Sequence, residues 1–348
     1  MDIIGYNLTK KVHLNIIKCR TRKENGMAEK EVYNEEVSKR RKRIKRIKEA
    51  LTGYLFISPA TLILLVFSIF PSIFVFYIST LDWNMIGPKH FIGLQNYENL
   101  LFRSPYAPEF WHSVLVTVEY VAMSVPLQIS ISLVLAILLM KPIRFRSFFR
   151  LGIFIAYITP LVATSIVWMW MFNEEKYGII NAFFSMLHLP TVKWLLSFPP
   201  ALVAIVIYVS WHEIGFDTII FMAGLSGISP ELKEAAEIDG ANSNGVFWHV
   251  IWPLLSPTTF FILIISMIGA FKMFTPVFVM TSGGPYNSTT TMGYYLYVKA
   301  FQDWKAGYAS AVAVMLFLFI FALTLLNMKF TGRKVFYAGE ERKEESNG

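Results

Sequence analysis

Long apolar stretches are the feature that most constrains this chain. Six of them run over residues 52–80, 112–140, 150–172, 200–225, 250–275 and 308–330. Each is long enough to cross the hydrocarbon of a bilayer as a helix, which takes about 20 residues. Because the runs are continuous rather than alternating at every second residue, they favour helices over a membrane barrel. The sequence therefore predicts an all-α membrane protein with six transmembrane helices.

The charge distribution supports a membrane setting. Only 16% of the residues are charged and 55% are hydrophobic, whereas a soluble domain has about 25% charged residues. Residues 1–50 hold 15 of the 32 Lys and Arg but only 7 of the 24 Asp and Glu, so the net charge of +8 arises there. The basic run Lys39–Lys48 directly precedes the first span, which is typical of a cytoplasmic segment facing membrane lipid. No basic surface interleaved with aromatics follows it, so nucleic-acid binding is not expected.

The Lys and Arg residues of the short loops predict the orientation of the spans. The loop 141–150 holds four of them and is expected to be cytoplasmic, like the N-terminal segment. Lys329, Arg333 and Lys334 return the chain to the same side. Both termini are therefore predicted to be cytoplasmic, in a multi-pass protein of the cell (inner) membrane. The loop 226–249 is weakly charged, and only the number of spans places it inside.

Enzymatic and metal chemistry find little support. Cys19 is the single cysteine, which excludes an intrachain disulfide, a thiolate zinc site and a CxxC redox motif. The sequence has no Gly-rich phosphate loop ending in GK[ST], no nucleophile elbow and no HExxH motif. His112, His188, His212 and His249 are dispersed and are interpreted as interfacial or packing residues. We therefore predict that the chain is not an enzyme and needs neither a cofactor nor a metal.

The segment between the fourth and fifth spans carries clear helix signals. Ser229 can cap the N-terminus, Pro230 suits the first helical position and Glu231 favours the positive end of the helix dipole. Gly240 suits a left-handed residue just past the C-terminus. A short helix over residues 230–239 is predicted, followed by a second piece that enters span five.

This segment resembles the EAA loop of the membrane subunits of binding-protein-dependent ABC importers. The matching residues are Glu234-Ala235-Ala236, Asp239-Gly240-Ala241 and Ile251-Trp252-Pro253, with Trp252 standing where the family has a small aliphatic residue. The resemblance implies that the short helix inserts into a groove on a separate ABC ATPase dimer. An ordinary amphipathic surface helix is the alternative. The ATPase-coupling residues implied are Glu234, Ala235, Ala236, Asp239, Gly240 and Ala241.

Further segments resemble the carbohydrate branch of these permeases, which contains the maltose, lactose and glycerol-3-phosphate permeases. They are Phe91–Leu100, Ala223–Pro230, Thr281–Pro285, Tyr294–Tyr297 and Gly307–Ala311. The resemblance is to the first of the two permeases that form a heterodimer, and it implies a type I ABC importer permease bundle. It also implies two partners. One is a second permease subunit, and the other is an extracytoplasmic solute-binding protein that delivers a sugar or oligosaccharide. The glycine–proline turn at 283–285 is either a stop for span five or a seat for that binding protein.

These features define the predicted domain organisation. Residues 1–48 form a basic cytoplasmic tail, residues 49–335 a six-span permease domain with its coupling loop at 226–252, and residues 336–348 a polar C-terminal tail.

Polar groups inside the spans are candidates for a solute pathway, because an ionisable group within a membrane is costly and usually faces a cavity. Glu213 and Asp217 share one helix face, and Lys272 lies near the end of span five. A sugar site needs hydrogen-bonding groups and aromatic faces. In the alternative interpretation, Glu213, Asp217 and Lys272 form structural pairs or lie at the water boundary. The candidate pathway residues are Ser210, Trp211, Glu213, Asp217, Ser266, Lys272 and Met273.

Two other functions compete with an importer permease. An ion-coupled secondary transporter should show broken spans in two related halves and carboxylates for ion coupling, and Glu213 with Asp217 keeps this alternative open. A membrane enzyme would need a second catalytic feature beside that acid pair, and the sequence does not provide one.

Overall fold

The computed structural model describes residues 40–175 and 178–330 of the chain. The predicted tail at 336–348 and the first 39 residues of the predicted tail at 1–48 lie outside the described residues. A two-stranded antiparallel ribbon pairs Leu81 with Phe91 and Asp82 with His90; its strands are β1 (Leu81–Asp82) and β2 (His90–Phe91). The helices are α1 (Arg40–Ile78), α2 (Gln95–Phe102), α3 (Tyr106–Met140), α4 (Arg146–Ile158), α5 (Leu161–Met171), α6 (Ile179–Met186), α7 (Pro200–Ser226), α8 (Pro230–Ile238), α9 (Ser243–Phe271), α10 (Thr275–Met280), α11 (Met292–Tyr297) and α12 (Ala306–Phe330).

Among the described residues, five helices are long and apolar enough to cross a membrane: α1, α3, α7, α9 and α12. The predicted span at 150–172 is instead two helices, α4 and α5, bent by 101°. Pro160 explains the bend, because it has no N–H for the carbonyl of Ala156 and disfavours a helical conformation at Thr159, whose ψ is 141°. The described residues thus contain five helices that could each cross a membrane, or six such spans if the bent pair counts as one.

The chain divides into two compact units after Ile73. The described part of the first unit is residues 40–73 of α1, whose first turns carry the basic run from Arg40 to Lys48. A π-helical turn at Leu65–Ile69 interrupts the regular α-helix. The second unit, from Phe74 onward, contains the other described elements and the apolar core.

A buried stripe of small and polar residues on α3 allows close helix packing in the second unit. Its members are Ser113, Thr117, Ser124, Gln128 and Ser132. Small residues let two membrane helices approach closely, and their hydroxyls bond across the interface. Ser132 Oγ donates to the carbonyl of Ile214 on α7 at 3.4 Å, and Thr117 Oγ1 accepts the N–H of Met292 at 2.8 Å.

The apolar side chains of the second unit form two clusters. The smaller one, called here the α8-end cluster, joins the C-terminal ends of α3 and α7 to the middle of α9. Its buried members are Ala136, Leu139, Phe221, Met222, Leu225, Ile228, Leu255 and Ile262. The larger cluster lies toward the other end and includes Val125 of α3, Val209 of α7 and Ala270 of α9. On all three helices, the interval between the two clusters contains polar residues.

Two of the sequence segments that resemble sugar permeases lie against each other. The amide of Asn96 donates to the carbonyls of Ser79 and Leu81, both at 2.9 Å. Gly307 at the start of α12 donates its N–H to Trp83 O at 3.1 Å. A Cβ on Gly307 would overlap the carbonyl oxygen of Leu81. The glycine is therefore required for the close approach of the α12 terminus to the ribbon.

We predict that Gly224→Ala destabilises the bundle. Gly224 is where α7 approaches α9, and an added Cβ would lie 2.5 Å from Thr258 Oγ1 and 2.9 Å from Leu255 Cδ1. Overpacking of this kind costs about 1–3 kcal/mol. Thermal unfolding of the purified protein in detergent should show a lower midpoint. Gly152→Ala on α4, where a Cβ meets nothing within 4 Å, is the matched control. An unchanged midpoint for Gly224→Ala would contradict the close packing.

Candidate functional site

A cavity of about 320 Å³ lies among α3, α4, α5, α7, α9 and α10. Its wall includes polar residues that separate the two apolar clusters along α3, α7 and α9, together with Tyr120, Val209, Ala270 and Met273 of the larger cluster. Its polar lining residues are Tyr120, Gln128, Tyr157, Glu213, Asp217, Ser266, Lys272 and Thr275. Val209, Phe216, Ile265, Met273 and Phe274 supply much of its apolar surface. The cavity thus combines hydrogen-bonding groups with aromatic faces.

Two helix interruptions border this cavity. Tyr157 and Leu161 flank the bend between α4 and α5, and Lys272, Met273 and Phe274 form the break between α9 and α10. Pro276 lacks the N–H that would bond the carbonyl of Lys272, so α9 cannot continue through this point. Non-helical backbone at membrane depth is tolerated where it lines a cavity or is buried in protein.

The two carboxylates of α7 differ in their contacts. Asp217 is only 3% exposed, and its Oδ2 has no hydrogen-bond partner among the described residues. Glu213, one turn earlier, lies 3.2 Å from His212 Nδ1, while His212 Nε2 lies 3.4 Å from the carbonyl oxygen of Thr159. Both neighbours are acceptors, so a neutral imidazole donates to only one of them. A buried polar atom without a partner is costly, so its presence calls for a functional or structural explanation.

The structure brings five of the predicted pathway residues to the cavity wall: Glu213, Asp217, Ser266, Lys272 and Met273. The other two lie elsewhere. Ser210 is buried, and its hydroxyl has no partner among the described residues. Trp211 packs against Trp168 of α5, with 5.4 Å between ring centroids.

Lys272 does not pair with the acids. It is exposed at the helix break, and the ion pairs of the described residues include none between Lys272 and Glu213 or Asp217. The structural pairing considered from the sequence is therefore absent from the described part of the chain.

Sequence reasoning missed several lining residues, chiefly Tyr120, Gln128, Tyr157 and Phe216. Tyr157 and Phe216 stack with 5.1 Å between their ring centroids. Gln128 offered a signal, because an amide within an apolar span is unusual. Aromatic residues are common throughout membrane helices, so the three aromatic positions carried no such signal.

The predicted helix at 230–239 is confirmed as α8, Pro230–Ile238. Ser229 Oγ accepts the N–H of Glu231 at 3.3 Å, which makes it the N-cap. Gly240 has φ of +91°, the left-handed conformation expected past the C-terminus. The N–H of Ala241 then closes onto the carbonyl of Ala236 at 2.9 Å. The motif residues therefore fix both ends of this helix.

One face of α8 exposes apolar side chains. Leu232 is 48% exposed and Ile238 is 85% exposed, and Ala235 lies between them on the same face. Ala236 is partly buried, whereas Ala235 is exposed, so the two alanines of the motif differ in their access to a partner. Exposed apolar residues grouped on one helix face are typical of a protein-binding surface.

An aromatic cluster follows α8 at the start of α9. Asn242 caps this helix by accepting the N–H of Gly245 at 2.8 Å, and a π-helical turn covers Phe247–Ile251. Trp252 lies 5.9 Å from Trp248 and 6.3 Å from Phe247 between ring centroids. The tryptophan that departs from the family pattern thus packs within this aromatic group.

A buried cation lies outside the spans, in the π-helical turn after α11. Lys299 Nζ is 2.9 Å from Glu109 Oε2 and 2.9 Å from Asp303 Oδ2. Burial by itself disfavours the ammonium, but the hydrogen bonds and charges of Asp303 and Glu109 outweigh it and raise the pKa of Lys299. This lysine is a satisfied structural group that ties α3 to the segment after α11.

The glycine–proline turn at 283–285 is closed by its own neighbours. Gly283 has φ of +81°, and Thr289 Oγ1 donates to the carbonyl of Gly284 at 2.8 Å. Tyr286, next to the turn, is fully exposed. The turn therefore ends the α9–α10 segment and also presents an aromatic side chain.

Solved structures share this fold. A bacterial ABC transporter chain involved in the import of the acidic polysaccharide alginate superposes with a TM-score of 0.70 at 20% identity, over 83% of this chain and 98% of that one. The same TM-score is found, at 18% identity, for a chain of the alginate transporter in complex with its alginate pentasaccharide-bound periplasmic protein, over 83% and 96% of the chains. The bundle thus has the fold of these transporter chains.

Sequence relatives cover most of the chain. The trehalose/maltose transport system permease protein MalF of Thermococcus litoralis is 34% identical over 82% of this chain and 95% of its own length. The arabinooligosaccharides transport system permease protein AraP of Halalkalibacterium halodurans is 32% identical, with 82% and 89% covered. The sn-glycerol-3-phosphate transport system permease protein UgpA of Agrobacterium fabrum is 30% identical, with 82% and 96% covered.

The family profile described as the binding-protein-dependent transport system inner membrane component matches residues 128–334. That range contains most of the cavity wall, the whole of α8 and the spans on either side of it. The resemblance drawn from the EAA loop is confirmed. The chain belongs to the family of binding-protein-dependent transport system inner membrane components.

Proposed function

We propose that this chain is the permease subunit of an ABC importer and carries a sugar or oligosaccharide through the cavity that is lined by Glu213, Asp217 and Ser266. The observation that carries the proposal is the position of this polar, aromatic-lined cavity at two helix interruptions. The cavity is lined by α7 and α9, which are also the helices that α8 connects. Discontinuous helices are where transporters place solute sites. The comparisons give no support to an ion-coupled secondary transporter.

The relatives define the range of solutes. Their names include arabinooligosaccharides, trehalose or maltose, and sn-glycerol-3-phosphate. Arabinooligosaccharides, trehalose and maltose are uncharged and rich in hydroxyl groups, whereas sn-glycerol-3-phosphate carries a phosphate. Gln128, Ser266 and the acids of α7 can bond hydroxyl groups, and Tyr157 with Phe216 offers ring faces to the apolar side of a sugar.

The α8 helix is the proposed contact with a separate ATPase dimer. Its exposed Leu232 and Ile238 need a partner surface, and Ala235 between them permits close approach of that surface. The proposed coupling residues are Glu234, Ala235, Ala236, Asp239, Gly240 and Ala241. Movement of α8 would pass to α7 and α9, because short turns connect α8 to both and the α8-end cluster packs their ends together.

Partners and orientation complete the proposal. A second permease forms the other half of the pathway, and an extracytoplasmic binding protein delivers the solute to the end of the bundle away from α8, near Tyr286. Both termini and α8 face the cytoplasm, in the cell (inner) membrane. Residues 1–48 and 336–348 are proposed to be tails that flank the permease domain at 49–335.

We predict that Gly240→Pro and Glu234→Lys each abolish ATP-dependent uptake without preventing membrane insertion. Proline is held near φ of about −65° and cannot adopt the +91° of Gly240. A loss of about tenfold or more, equivalent to about 1.4 kcal/mol of coupling, is expected in vesicles supplied with binding protein and ATP. Glu237→Lys, a charge reversal half a turn around α8 from Ala235, is the control and should retain uptake. Uptake that persists in both test variants would contradict the coupling role.

Co-purification tests the partners directly. The tagged chain is purified from its native membrane, and the accompanying proteins are identified by mass spectrometry. A P-loop ATPase and a second permease are expected, with binding-protein-stimulated ATPase activity that Gly240→Pro removes. Recovery of the chain without an ATPase would contradict the importer assignment.

We predict that Gly269→Trp blocks transport. Gly269 lines the cavity, and a Cβ there meets nothing within 4 Å, so the indole can occupy the cavity without displacing packed neighbours. Uptake should fall by about tenfold or more, while assembly with the ATPase and basal ATP hydrolysis persist. Gly152→Trp on α4, also open but not part of the cavity lining, is the control. Normal uptake by Gly269→Trp would show that solute does not pass through this cavity.

A further inference from the structure

The buried charge of the cavity is acidic. Asp217 is 3% exposed, and Glu213 is one turn away on the same face of α7 and lines the same cavity. Lys272 also lines the cavity, but it does so at the α9–α10 break, and among the described residues it forms no ion pair with either acid. The two acids are therefore the charged groups of the α7 wall, and the cation lies at the break.

The neighbours of these acids leave Asp217 available to a ligand. His212 lies within hydrogen-bonding distance of Glu213 and of the Thr159 carbonyl, and neither contact involves Asp217. Tyr120, Gln128 and Tyr157 line the cavity from α3 and α4 and carry no formal charge. Among the described residues, no donor bonds Asp217 Oδ2. A buried acceptor in this state gains most from a ligand that brings its own donor.

We propose that Asp217, with the neighbouring carboxylate of Glu213, is the specificity-determining group of the pathway. It selects solutes that present hydroxyl or ammonium donors, and it excludes solutes that bear phosphate or carboxylate groups. The inference rests on the transport function proposed above and narrows its substrate class to uncharged or amino-bearing glycosides. A solute anion near the deep wall would meet like charge in a site with little water, whereas a sugar hydroxyl supplies the donor that Asp217 lacks.

The charge of the cavity can be measured without knowing the solute. Cys19, the chain's single cysteine, is replaced by serine, and Gly269→Cys places a thiol on the cavity wall. The full complex in membrane vesicles is treated with cationic trimethylammonioethyl methanethiosulfonate or anionic sulfonatoethyl methanethiosulfonate. Modification of position 269 is followed by mass spectrometry of the purified chain, and each rate is divided by the rate of the same reagent with free mercaptoethanol.

The normalised rate should be about tenfold or more higher for the cationic reagent, which is the lower end of what a charged cleft achieves. Asp217→Asn should bring the ratio close to unity, and Glu213→Gln should lower it as well, which gives a second measurement if Asp217→Asn assembles poorly. Glu119→Gln is the matched control, since it makes the same acid-to-amide change on α3 outside the cavity lining, and it should leave the ratio unchanged.

Two results would overturn the proposed selectivity while leaving the transport function intact. One is an equal normalised rate for the two reagents, and the other is a cationic-to-anionic rate ratio that neither acid substitution changes. Modification by neither reagent, with or without ATP, would show that the cavity is closed to solutes. That result would overturn the proposed pathway itself, and uptake by Gly269→Trp would then be expected to remain normal.

Discussion

In a bilayer no water satisfies a broken backbone hydrogen bond, so a helix can be interrupted only where other protein groups or a polar cavity take up the freed carbonyls and amides. This constraint shapes the centre of the molecule. The bend at Thr159 lies against α7. There Thr159 Oγ1 donates to the carbonyl of Ala156, which Pro160 leaves without an N–H, and His212 of α7 lies 3.4 Å from the carbonyl of Thr159. The break at Lys272 opens onto the cavity. The cavity and the two interruptions therefore depend on each other.

The helix α7 connects the cavity to α8. Asp217 is nine residues before Ser226 at the end of α7, a distance of about 14 Å along a helix at 1.5 Å per residue. Over that length Phe221, Met222 and Leu225 pack into the α8-end cluster. A displacement of α8 can thus reach the acids of the cavity through one continuous helix whose end is firmly packed. This arrangement accounts for the use of a short, rigidly capped helix at the proposed ATPase contact.

Two groups of buried charges illustrate the difference between stability and function. Lys299 is held by Glu109 and Asp303 at 2.9 Å each, so the desolvation of its ammonium is offset by strong hydrogen bonds. Asp217 has no such compensation among the described residues. A fold selected for stability alone would satisfy or remove this carboxylate, whereas a transport site needs an acceptor that is free until solute arrives.

The sequence by itself determined the helical membrane class, the ends of α8 and the family, because hydropathy, capping residues and the EAA spacing act over a few neighbouring positions. Pro160 accounts for a helix break at this position, but the angle of that break, 101°, is given only by the tertiary structure. Only the tertiary structure decided that Glu213, Asp217, Ser266 and Lys272 share a cavity while Trp211 faces α5. Those positions are separated by tens of residues, and their meeting depends on how the small and polar faces of α3, α7 and α9 pack, which no local pattern encodes.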